Sequence, residues 1–205
     1  MTYLLTNPKR GLHILTTLGQ IMEDREFTIQ EPYATERKAL ETDADRAREW
    51  YNREETLMTG KKGDKIIQVL CPKEDKLAIG TVRDYAEKYK DDKNQTIILV
   101  IQNITPPARQ IVQACKRFEI FYEKELYCNV THHVLYSPHR ALSEPEEEAV
   151  LKRFKCIKHN LPILLRTEPI ARYFGWSVGQ MVEIKSSMGG TQEPFVTYRI
   201  VAEEK

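Results

Sequence analysis

Three charged residues beside an apolar segment have the types that a Mg²⁺-dependent nuclease uses. Asp64 precedes Ile66–Leu70, and Glu74 and Lys76 follow it. Carboxylates beside a central strand can hold Mg²⁺ and position a water molecule. In a chain that is 30% charged, so loose a pattern arises easily by chance, and a solvated turn explains it better. We therefore keep Mg²⁺-dependent nuclease activity only as the alternative to the function inferred below.

A second group of residues has side chains that zinc prefers. Four histidines and one cysteine lie close together in the sequence: Cys128, His132, His133, His139 and His159. Their spacing matches no closed zinc site, and cysteine pairs are missing. Nucleophile-elbow, P-loop and dinucleotide motifs are also absent. We therefore predict no catalytic residue, no metal site and no cofactor.

The segment Thr105-Pro106-Pro107-Ala108-Arg109 follows an apolar run and opens a predicted helix. Free N–H groups and the helix dipole favour an anion at such a position, for example a backbone phosphate, and Arg109 adds a positive charge. The same residues also suit an ordinary helix start with Thr105 as N-cap. The residues alone leave these two interpretations equally open.

The composition excludes several classes of protein. The 205 residues contain 31 basic and 30 acidic side chains and are 41% hydrophobic, which is enough for a packed core. Net charge is balanced within each part, with 21 basic and 21 acidic residues in 1–130 and 10 and 9 in 131–205. A free-standing basic DNA-binding regulator is therefore disfavoured.

The sequence shows no membrane span and no signal peptide, so we expect an intracellular protein with reduced thiols.

The first part of the chain alternates between helical and strand patterns. Helices are predicted at 12–21, 82–90 and 106–117, strands at 66–70, 96–101 and 118–122, a charged and mostly solvated helix or extended segment at 36–55, and a turn at 60–64. Strands that alternate with helices over short links predict a mainly parallel sheet flanked by helices. This part is the predicted α/β domain.

The pattern changes near Val130, where we place a boundary at 129–132 between domains 1–130 and 131–205. Ser143 and Glu146 form a predicted capping box. A short helix over 168–174 is expected to end at Gly175. Strands at 180–185 and 195–201, joined by a Gly189-Gly190 loop, predict an antiparallel hairpin. The whole chain is therefore predicted to be α+β, with a small α+β second domain.

Five segments of residues 131–205 form an ordered series: HVLYSPH at 133–139, LP at 161–162, EPIARYFG at 168–175, GQ at 179–180 and TYRIV at 197–201. In order and spacing they resemble the assembly domain of the fifth common subunit of eukaryotic RNA polymerases, a family that also has an archaeal counterpart. Upstream, 22–27, 96–108 and 123–131 resemble segments of the jaw domain of the eukaryotic members. The resemblance spans the whole chain and is weaker between about 30 and 65.

Four residues depart from the family's pattern. Pro107 stands in place of a serine, Ile163 of an arginine, Glu168 of an aspartate and Glu183 of a lysine. Two of these changes remove positive charge from the assembly domain. The divergence resembles the version encoded by a large DNA virus of the African swine fever type, which transcribes in the host cytoplasm.

The resemblance implies a non-catalytic subunit of a multisubunit DNA-dependent RNA polymerase. Its C-terminal domain would dock on the largest subunit, and its N-terminal domain would form part of the lower jaw near downstream DNA. Implied partners are other polymerase subunits and double-stranded DNA bound without sequence specificity, with no membrane and no small-molecule substrate. A viral member would occur in host cytoplasm and virion, and a cellular member in the nucleus.

The resemblance also assigns site residues. Thr105, Pro106, Pro107 and Ala108 would face the DNA, and Arg109 is added on physical grounds. The subunit-assembly residues would be Pro138, His139, Leu161, Pro162, Ala171, Arg172, Tyr173 and Gly175. Leu161, Tyr173 and Gly175 could equally serve the fold of the small domain, and that alternative stays open.

Overall fold

The computed structural model describes residues 9–53, 56–89, 94–115, 117–186 and 195–203. It divides into two compact units, Met1–Asn129 and Val130–Lys205. The Gly189-Gly190 loop of the predicted hairpin lies outside the described residues. Within them, no helix combines the length and the apolar character that crossing a membrane requires.

The N-terminal unit contains five α-helices and seven strands among its described residues. In chain order these are α1 (Arg10–Asp24), β1 (Thr28–Ile29), α2 (Tyr33–Thr42), α3 (Ala44–Arg53), β2 (Thr56–Lys62), β3 (Lys65–Leu70), β4 (Lys76–Leu77), α4 (Ile79–Lys88), β5 (Gln95–Ile101), β6 (Asn103–Ile104), α5 (Pro106–Ala114) and β7 (Phe118–Tyr122). The main sheet has the order β1-β2-β3-β5-β7, and β4 pairs with β6.

The main sheet is mixed, whereas the sequence predicted a mainly parallel one. β3, β5 and β7 run parallel, but β1, β2 and β3 pair antiparallel. The difference arises from β2, which was not predicted because its Gly60-Lys61-Lys62 end reads as a turn. The turn itself is the two-residue loop Gly63-Asp64, where Gly63 has φ +56°.

The charged segment after α1 forms two helices that are mostly solvated, as the sequence predicted, and each of them buries a few apolar side chains. α2 ends at Thr42, and the Asp43 carboxylate accepts the N–H groups of Asp45 and Arg46 at 3.0 and 3.2 Å, which starts α3. Leu40 and Ala47 are fully buried. α3 approaches α1 so closely that a Cβ at Gly11 would lie 2.9 Å from the Ala47 carbonyl oxygen.

The core of this unit lies on both faces of β5. Ile98, Leu99 and Val100 are completely buried, as expected for the central strand of a sheet covered on both sides. Under α4 and α5 the core continues with Val82, Ala108 and Val112. Just after β7, a buried polar network joins distant segments: Arg10 pairs with Glu123, and the Tyr51 hydroxyl donates to Glu123 at 2.5 Å.

The C-terminal unit packs two helices against a four-stranded sheet. Its elements are β8 (His139–Ala141), α6 (Glu144–Phe154), β9 (Ile163–Leu165), α7 (Pro169–Phe174), β10 (Met181–Ser186) and β11 (Phe195–Ala202), in the sheet order β8-β10-β11-β9. β10 and β11 form the predicted antiparallel hairpin, while β9 pairs in parallel with β11. The mixed sheets and helices of the two units confirm the predicted α+β class.

The pairing register of the strands determines which side chains lie on each face of this sheet. Ile184 pairs with His139 and lies in one core with Leu164, Ile170 and Trp176. Glu183 pairs with Arg140 in β8 and with Tyr198 in β11, and successive strand residues point to opposite faces. The face bearing Ile184 and His139 is called the α7 face below. The face bearing Glu183, Arg140 and Tyr198 is called the α6 face.

The predicted capping box begins α6. Ser143 donates both its N–H and its hydroxyl to Glu146 at 2.8 Å. These bonds, together with Arg140, lower the pKa of Glu146 to about 2. Glu147, one residue later, is buried and accepts the Met181 N–H at 2.8 Å while pairing with Lys158. The first turn of α6 thus fixes the helix to β10.

Candidate assembly surface and nucleic-acid-facing segment

The predicted DNA-facing segment is only partly available at the surface. Pro106, Pro107 and Arg109 are exposed, and Thr105 is half-buried. Ala108 is completely buried in the core beneath α5. We therefore correct the assignment of Ala108, because its side chain packs inside the unit and cannot reach a duplex.

The start of α5 offers fewer donors to an anion than the sequence analysis assumed. Pro106 and Pro107 occupy the first two helical positions and have no N–H. The Arg109 N–H is bonded to the Thr105 carbonyl at 3.0 Å. The Thr105 hydroxyl donates to the Leu77 carbonyl at 3.2 Å and caps no helix N–H. Thr105 thus ties α5 to β4, and a backbone phosphate cradle is not formed here.

Positive charge remains at this end of the N-terminal unit. Arg109 Nη2 donates to the Tyr122 hydroxyl at 2.6 Å. Lys124, which sequence reasoning did not select, places its Nζ 5.4 Å from the centre of the same ring. Both side chains belong to exposed residues. The two cations therefore flank Tyr122, at the end of β7, and we call Arg109, Tyr122 and Lys124 the basic corner.

The three residues considered for nuclease catalysis have local structural roles and positions. Asp64 occupies the β2–β3 turn. Glu74 accepts the Thr81 hydroxyl at 2.9 Å and the Ala78 N–H at 3.4 Å, which ties the carboxylate to the start of α4. Lys76 belongs to β4 and is exposed. Among the described residues, no three His, Cys, Asp or Glu side chains are grouped as a metal ion would require.

The histidines are not gathered into one site either. His132, His133 and His159 are exposed, whereas His139 is half-buried on the α7 face. The His139 ring stacks on Tyr136 with centroids 5.6 Å apart, and its Nδ1 contacts the Ser137 carbonyl. Burial is the main cause that lowers the pKa of His139, and nearby Arg199 acts in the same direction.

The predicted assembly residues separate into two groups by burial. Ala171 and Tyr173 are 1% and 3% exposed and belong to the interior of the C-terminal unit. The others lie at or near the surface: His139, Leu161 and Arg172 half-buried, and Pro138, Pro162 and Gly175 exposed. Side chains of the first group cannot form an interface, and we correct their assignment to core residues.

Helix α7 explains several of the motif residues without any partner. Glu168 precedes the helix and accepts the Leu165 N–H at 3.0 Å, and Pro169 takes the first helical position, where its missing N–H costs little. Gly175 ends the helix with φ +67°, a conformation that glycine adopts without strain. Arg172 Nε donates to the Thr167 carbonyl at 3.2 Å, within the same turn. This motif therefore builds the small unit.

The loop before β8 carries the most exposed apolar residues of the C-terminal unit. Val134 and Leu135 are 95% and 84% exposed. Beside them is a depression of about 410 Å³, lined by loop and sheet residues: Val130, His133, Leu135, Tyr136, Ser137, His139, Leu164, Glu168, Ile170, Ile184 and Arg199. We call Val134, Leu135, Pro138, His139 and Arg199 the loop surface.

Sequence reasoning selected Pro138 and His139 of this loop but not Val134 or Leu135. A signal was available, because two adjacent apolar residues stand among polar ones in HVLYSPH. Such a pair is also compatible with a buried turn, and only the fold decides between the two. Contiguous exposed apolar groups on a folded domain mark contact sites. This loop is the strongest candidate for an interaction surface in the unit.

Residues 128–201 match the family model described as RNA polymerase Rpb5, C-terminal domain. The chain is 34% identical over 200 residues to "DNA-directed RNA polymerases I, II, and III subunit rpabc1" of Dictyostelium discoideum, covering 93% of this chain and 96% of that protein.

Two further relatives carry similar names. "DNA-directed RNA polymerase subunit 5-like protein 1" of Arabidopsis thaliana is 31% identical over 200 residues, covering 93% of this chain and 94% of the relative. The RPABC1 subunit of Caenorhabditis elegans is 33% identical over 137 residues, which are 65% of this chain and 64% of the relative. With near-complete coverage of two relatives at this identity, the chain belongs to the Rpb5 (RPABC1) family of DNA-directed RNA polymerase subunits, and it is a non-catalytic subunit.

Proposed function

We propose that the C-terminal unit docks this chain on the largest subunit of a multisubunit DNA-dependent RNA polymerase through the loop surface. The observation that carries the proposal is the near-complete exposure of Val134 and Leu135. They belong to the part of the chain that matches the family model. Burial of two such side chains in an interface is worth roughly 1.5–3 kcal/mol each.

Polar groups beside these residues would fix the orientation of a partner. Arg199 donates from Nη1 to the Ile163 carbonyl at 3.2 Å, so its guanidinium is held at the sheet surface. The His139 N–H donates to the Tyr136 hydroxyl at 3.3 Å, which orders the loop. Because the loop that carries Val134 and Leu135 is ordered and the Arg199 guanidinium is fixed, docking would cost these residues little conformational entropy. We expect Leu135 to be the main contact residue.

Co-expression with the largest polymerase subunit tests the docking site. Leu135→Asp should reduce recovery of the complex at least tenfold, because it places a charge in the apolar contact. Val178→Asp is the matched control, since Val178 is also exposed, at 51%, but does not line the depression. The fluorescence of Trp176 and the circular dichroism of both variants should equal those of the unchanged chain.

Equal recovery of the Leu135→Asp and Val178→Asp complexes would contradict docking through the loop surface. Recovery of the unchanged chain free of any polymerase would contradict the subunit role itself.

We further propose that the N-terminal unit forms part of a jaw near downstream DNA, with the basic corner, Pro106 and Pro107 towards the duplex. Support comes from the exposed Arg109 and Lys124 at one corner of the unit. Two cations of this kind position a duplex through its phosphates without reading its sequence. The balanced charge of 1–130 fits a subunit that other parts of a polymerase hold against DNA.

The jaw proposal is tested in the assembled polymerase. Arg109→Glu with Lys124→Glu should lower the salt concentration at which a stalled transcription complex releases its DNA, because two phosphate contacts are lost. Arg83→Glu with Lys88→Glu is the matched control, as it reverses two exposed cations on α4. Identical release by the two double variants would count against a DNA contact at the basic corner.

The lineage of the chain is a separate proposal. Four departures from the family pattern, at Pro107, Ile163, Glu168 and Glu183, support a version encoded by a cytoplasmic DNA virus. The relatives described above are cellular, at 31–34% identity. A specific antibody should then detect the chain in host cytoplasm and in purified virions. Detection in uninfected nuclei would contradict the viral origin.

A further inference from the structure

A second depression of the C-terminal unit lies on the α6 face, opposite to the loop surface. It is lined by Arg153, Phe154, Glu183, Lys185, Phe195, Val196 and Tyr198. In the hairpin, Glu183 pairs with Tyr198 and Lys185 with Val196, so these four side chains share one face. Ile184, between them in sequence, points to the other face. We call this depression the α6 groove, and it is separate from the loop surface.

The floor of the α6 groove is aromatic. The rings of Phe154 and Tyr198 lie 5.8 Å apart at an interplanar angle of 59°. Phe154 and Phe195 are 54% and 64% exposed. Helix α6 ends at Phe154, at the edge of the groove, and the groove has a volume of about 520 Å³. Two half-exposed phenylalanines beside one opening form an apolar patch of the kind found at contact sites.

The exposed charge around this floor is positive. Arg153 is exposed, and its guanidinium carbon lies 5.6 Å from the centre of the Phe154 ring. The Lys185 side chain is 53% exposed, although its Nζ lies 3.8 Å from Glu183 Oε2. Glu183, the one carboxylate of the lining, is only 12% exposed and accepts Arg140 Nη2 at 3.2 Å and Nε at 3.3 Å. Its charge is therefore shared between Arg140 and, at 3.8 Å, Lys185, rather than directed to an incoming ligand.

We propose that the α6 groove binds a short acidic and apolar segment of a partner protein. An aromatic or long aliphatic side chain of that segment inserts between Phe154, Tyr198 and Phe195. Flanking Asp or Glu carboxylates pair with Arg153 and Lys185. Charge complementarity selects this occupant over a neutral or basic one, because a basic segment would meet two exposed cations at the rim.

A single-stranded nucleic acid is a poorer fit, although bases stack on aromatic rings. Nucleic acid requires open ring faces along a continuous basic track. Arg153 lies over the Phe154 ring, Tyr198 meets that ring at an angle, and Glu183 lines the groove. Among the described lining residues, two exposed cations border the opening. The groove therefore has one apolar site bordered by charged side chains, as expected for binding one apolar side chain of a peptide.

The test is a selection of displayed random twelve-residue peptides on the full chain, followed by fluorescence anisotropy with the enriched peptides. We expect enrichment of peptides that combine an aromatic or leucine residue with at least two carboxylates. Affinity for these peptides should fall at least tenfold in Phe154→Ser with Phe195→Ser, and at least tenfold in Arg153→Glu with Lys185→Glu. Lys152→Glu with Lys155→Glu, which reverses two exposed cations outside the lining, should retain affinity within threefold.

Four results would overturn the proposal. The first is that no peptide, or only basic peptides, is enriched. The second is that the groove variants bind the enriched peptides as well as the control variant does. The third is that the chain binds a twelve-residue oligouridylate more tightly than the peptides, or forms a dimer that the phenylalanine variant abolishes, since another occupant would then fill the groove.

The fourth is loss of the largest subunit by the groove variants during co-expression, since the groove would then belong to the assembly site. Retained assembly with lost peptide binding supports a separate site. This outcome is distinct from failure of the docking proposal, which the Leu135→Asp variant reports.

Discussion

The two units of this chain treat their large apolar side chains differently. Eight such side chains are exposed among the described residues, and seven of them belong to the C-terminal unit. Of the described residues in the N-terminal unit, one large apolar side chain is exposed, Ile66 at 36%. Because exposed apolar groups in a folded unit mark contact sites, the difference supports the proposal that the small unit binds partners, whereas the larger one folds around its own core.

Their stabilising contacts also differ. In the N-terminal unit, aliphatic side chains of β5 are buried on both faces of the sheet. The C-terminal unit, with fewer residues, has a smaller apolar core and adds polar contacts at the start of α6, namely Glu147 on Met181 and the capping box. Small units bury a smaller fraction of their surface and have less hydrophobic stabilisation. Substitutions can test this contrast, since Trp50 and Trp176 report on one unit each.

The largest effect is expected from the core of the N-terminal unit. Leu99→Ala should lower the free energy of unfolding of this unit by about 2–5 kcal/mol, because it leaves a cavity in a fully buried strand. Urea denaturation followed by Trp50 fluorescence, in a Trp176→Phe background, measures it. Leu135→Ala, at an exposed site of the C-terminal unit, is followed by Trp176 fluorescence in a Trp50→Phe background and should change the stability of that unit by less than about 0.5 kcal/mol. Equal losses would remove the contrast between the units.

The next effect concerns the buried carboxylate of the C-terminal unit. Glu147→Ala should destabilise this unit by about 1–3 kcal/mol, because the Met181 N–H loses its acceptor inside the protein. Glu147→Gln keeps an acceptor oxygen and should lose less. Glu148→Ala, at the exposed neighbouring position, is the matched control. Thermal unfolding followed by Trp176 fluorescence would show whether the Glu147→Ala and Glu148→Ala variants differ, as they must if the polar contact matters.

A smaller effect is expected at the end of α7. Gly175→Ala should destabilise the C-terminal unit by about 1–2 kcal/mol, since φ is +67° there. Gly80→Ala is the counterpart in the other unit. Gly80 is the second residue of α4, and a Cβ added there would have no heavy atom within 4 Å, so alanine should stabilise by at most about 0.5 kcal/mol. Opposite signs in urea denaturation are the expected result, and a neutral Gly175→Ala variant would contradict the helix end described above.

The smallest effect is a pH dependence confined to the C-terminal unit. The pKa of His139 is lowered in the folded chain, so below about pH 6.5 the unfolded chain binds a proton that the folded chain does not. Stability of this unit should therefore fall as the pH decreases from about 7.5 to 5.5. His139→Gln should reduce that loss, and His159→Gln, at an exposed ring, should leave it in place. Urea midpoints at the two pH values measure the difference.

Local signals predicted much of the C-terminal unit correctly. The capping box at Ser143, the αL glycine at Gly175 and the hairpin of β10 and β11 each depend on a few neighbouring residues, and each is present. The strand β9 was not predicted, because three residues, Ile163–Leu165, are too short to show a period. Only the parallel partner β11 makes them a strand. Non-local hydrogen bonds of this kind leave no trace in a short window of sequence.

The same limit explains the errors in the N-terminal unit. β2 ends in glycine and lysines that are typical of a turn, and its pairing with both β1 and β3 overrides that preference. Ala108 was assigned to a DNA-facing surface from its place in a motif, yet α5 turns this residue into the core. Position along a motif does not give the direction of a side chain, which depends on how the helix packs.

By itself, the sequence determined the family, the α+β class, the start of α6, the end of α7 and the absence of known catalytic motifs, because each depends on residue types and on short spacings. Only the tertiary structure decided which motif residues are core and which are surface. It separated Ala171 and Tyr173 from Pro138, exposed Val134 and Leu135, and placed the loop surface and the α6 groove on opposite faces of one sheet. The physical reason is that burial and strand register arise from contacts between residues distant in sequence.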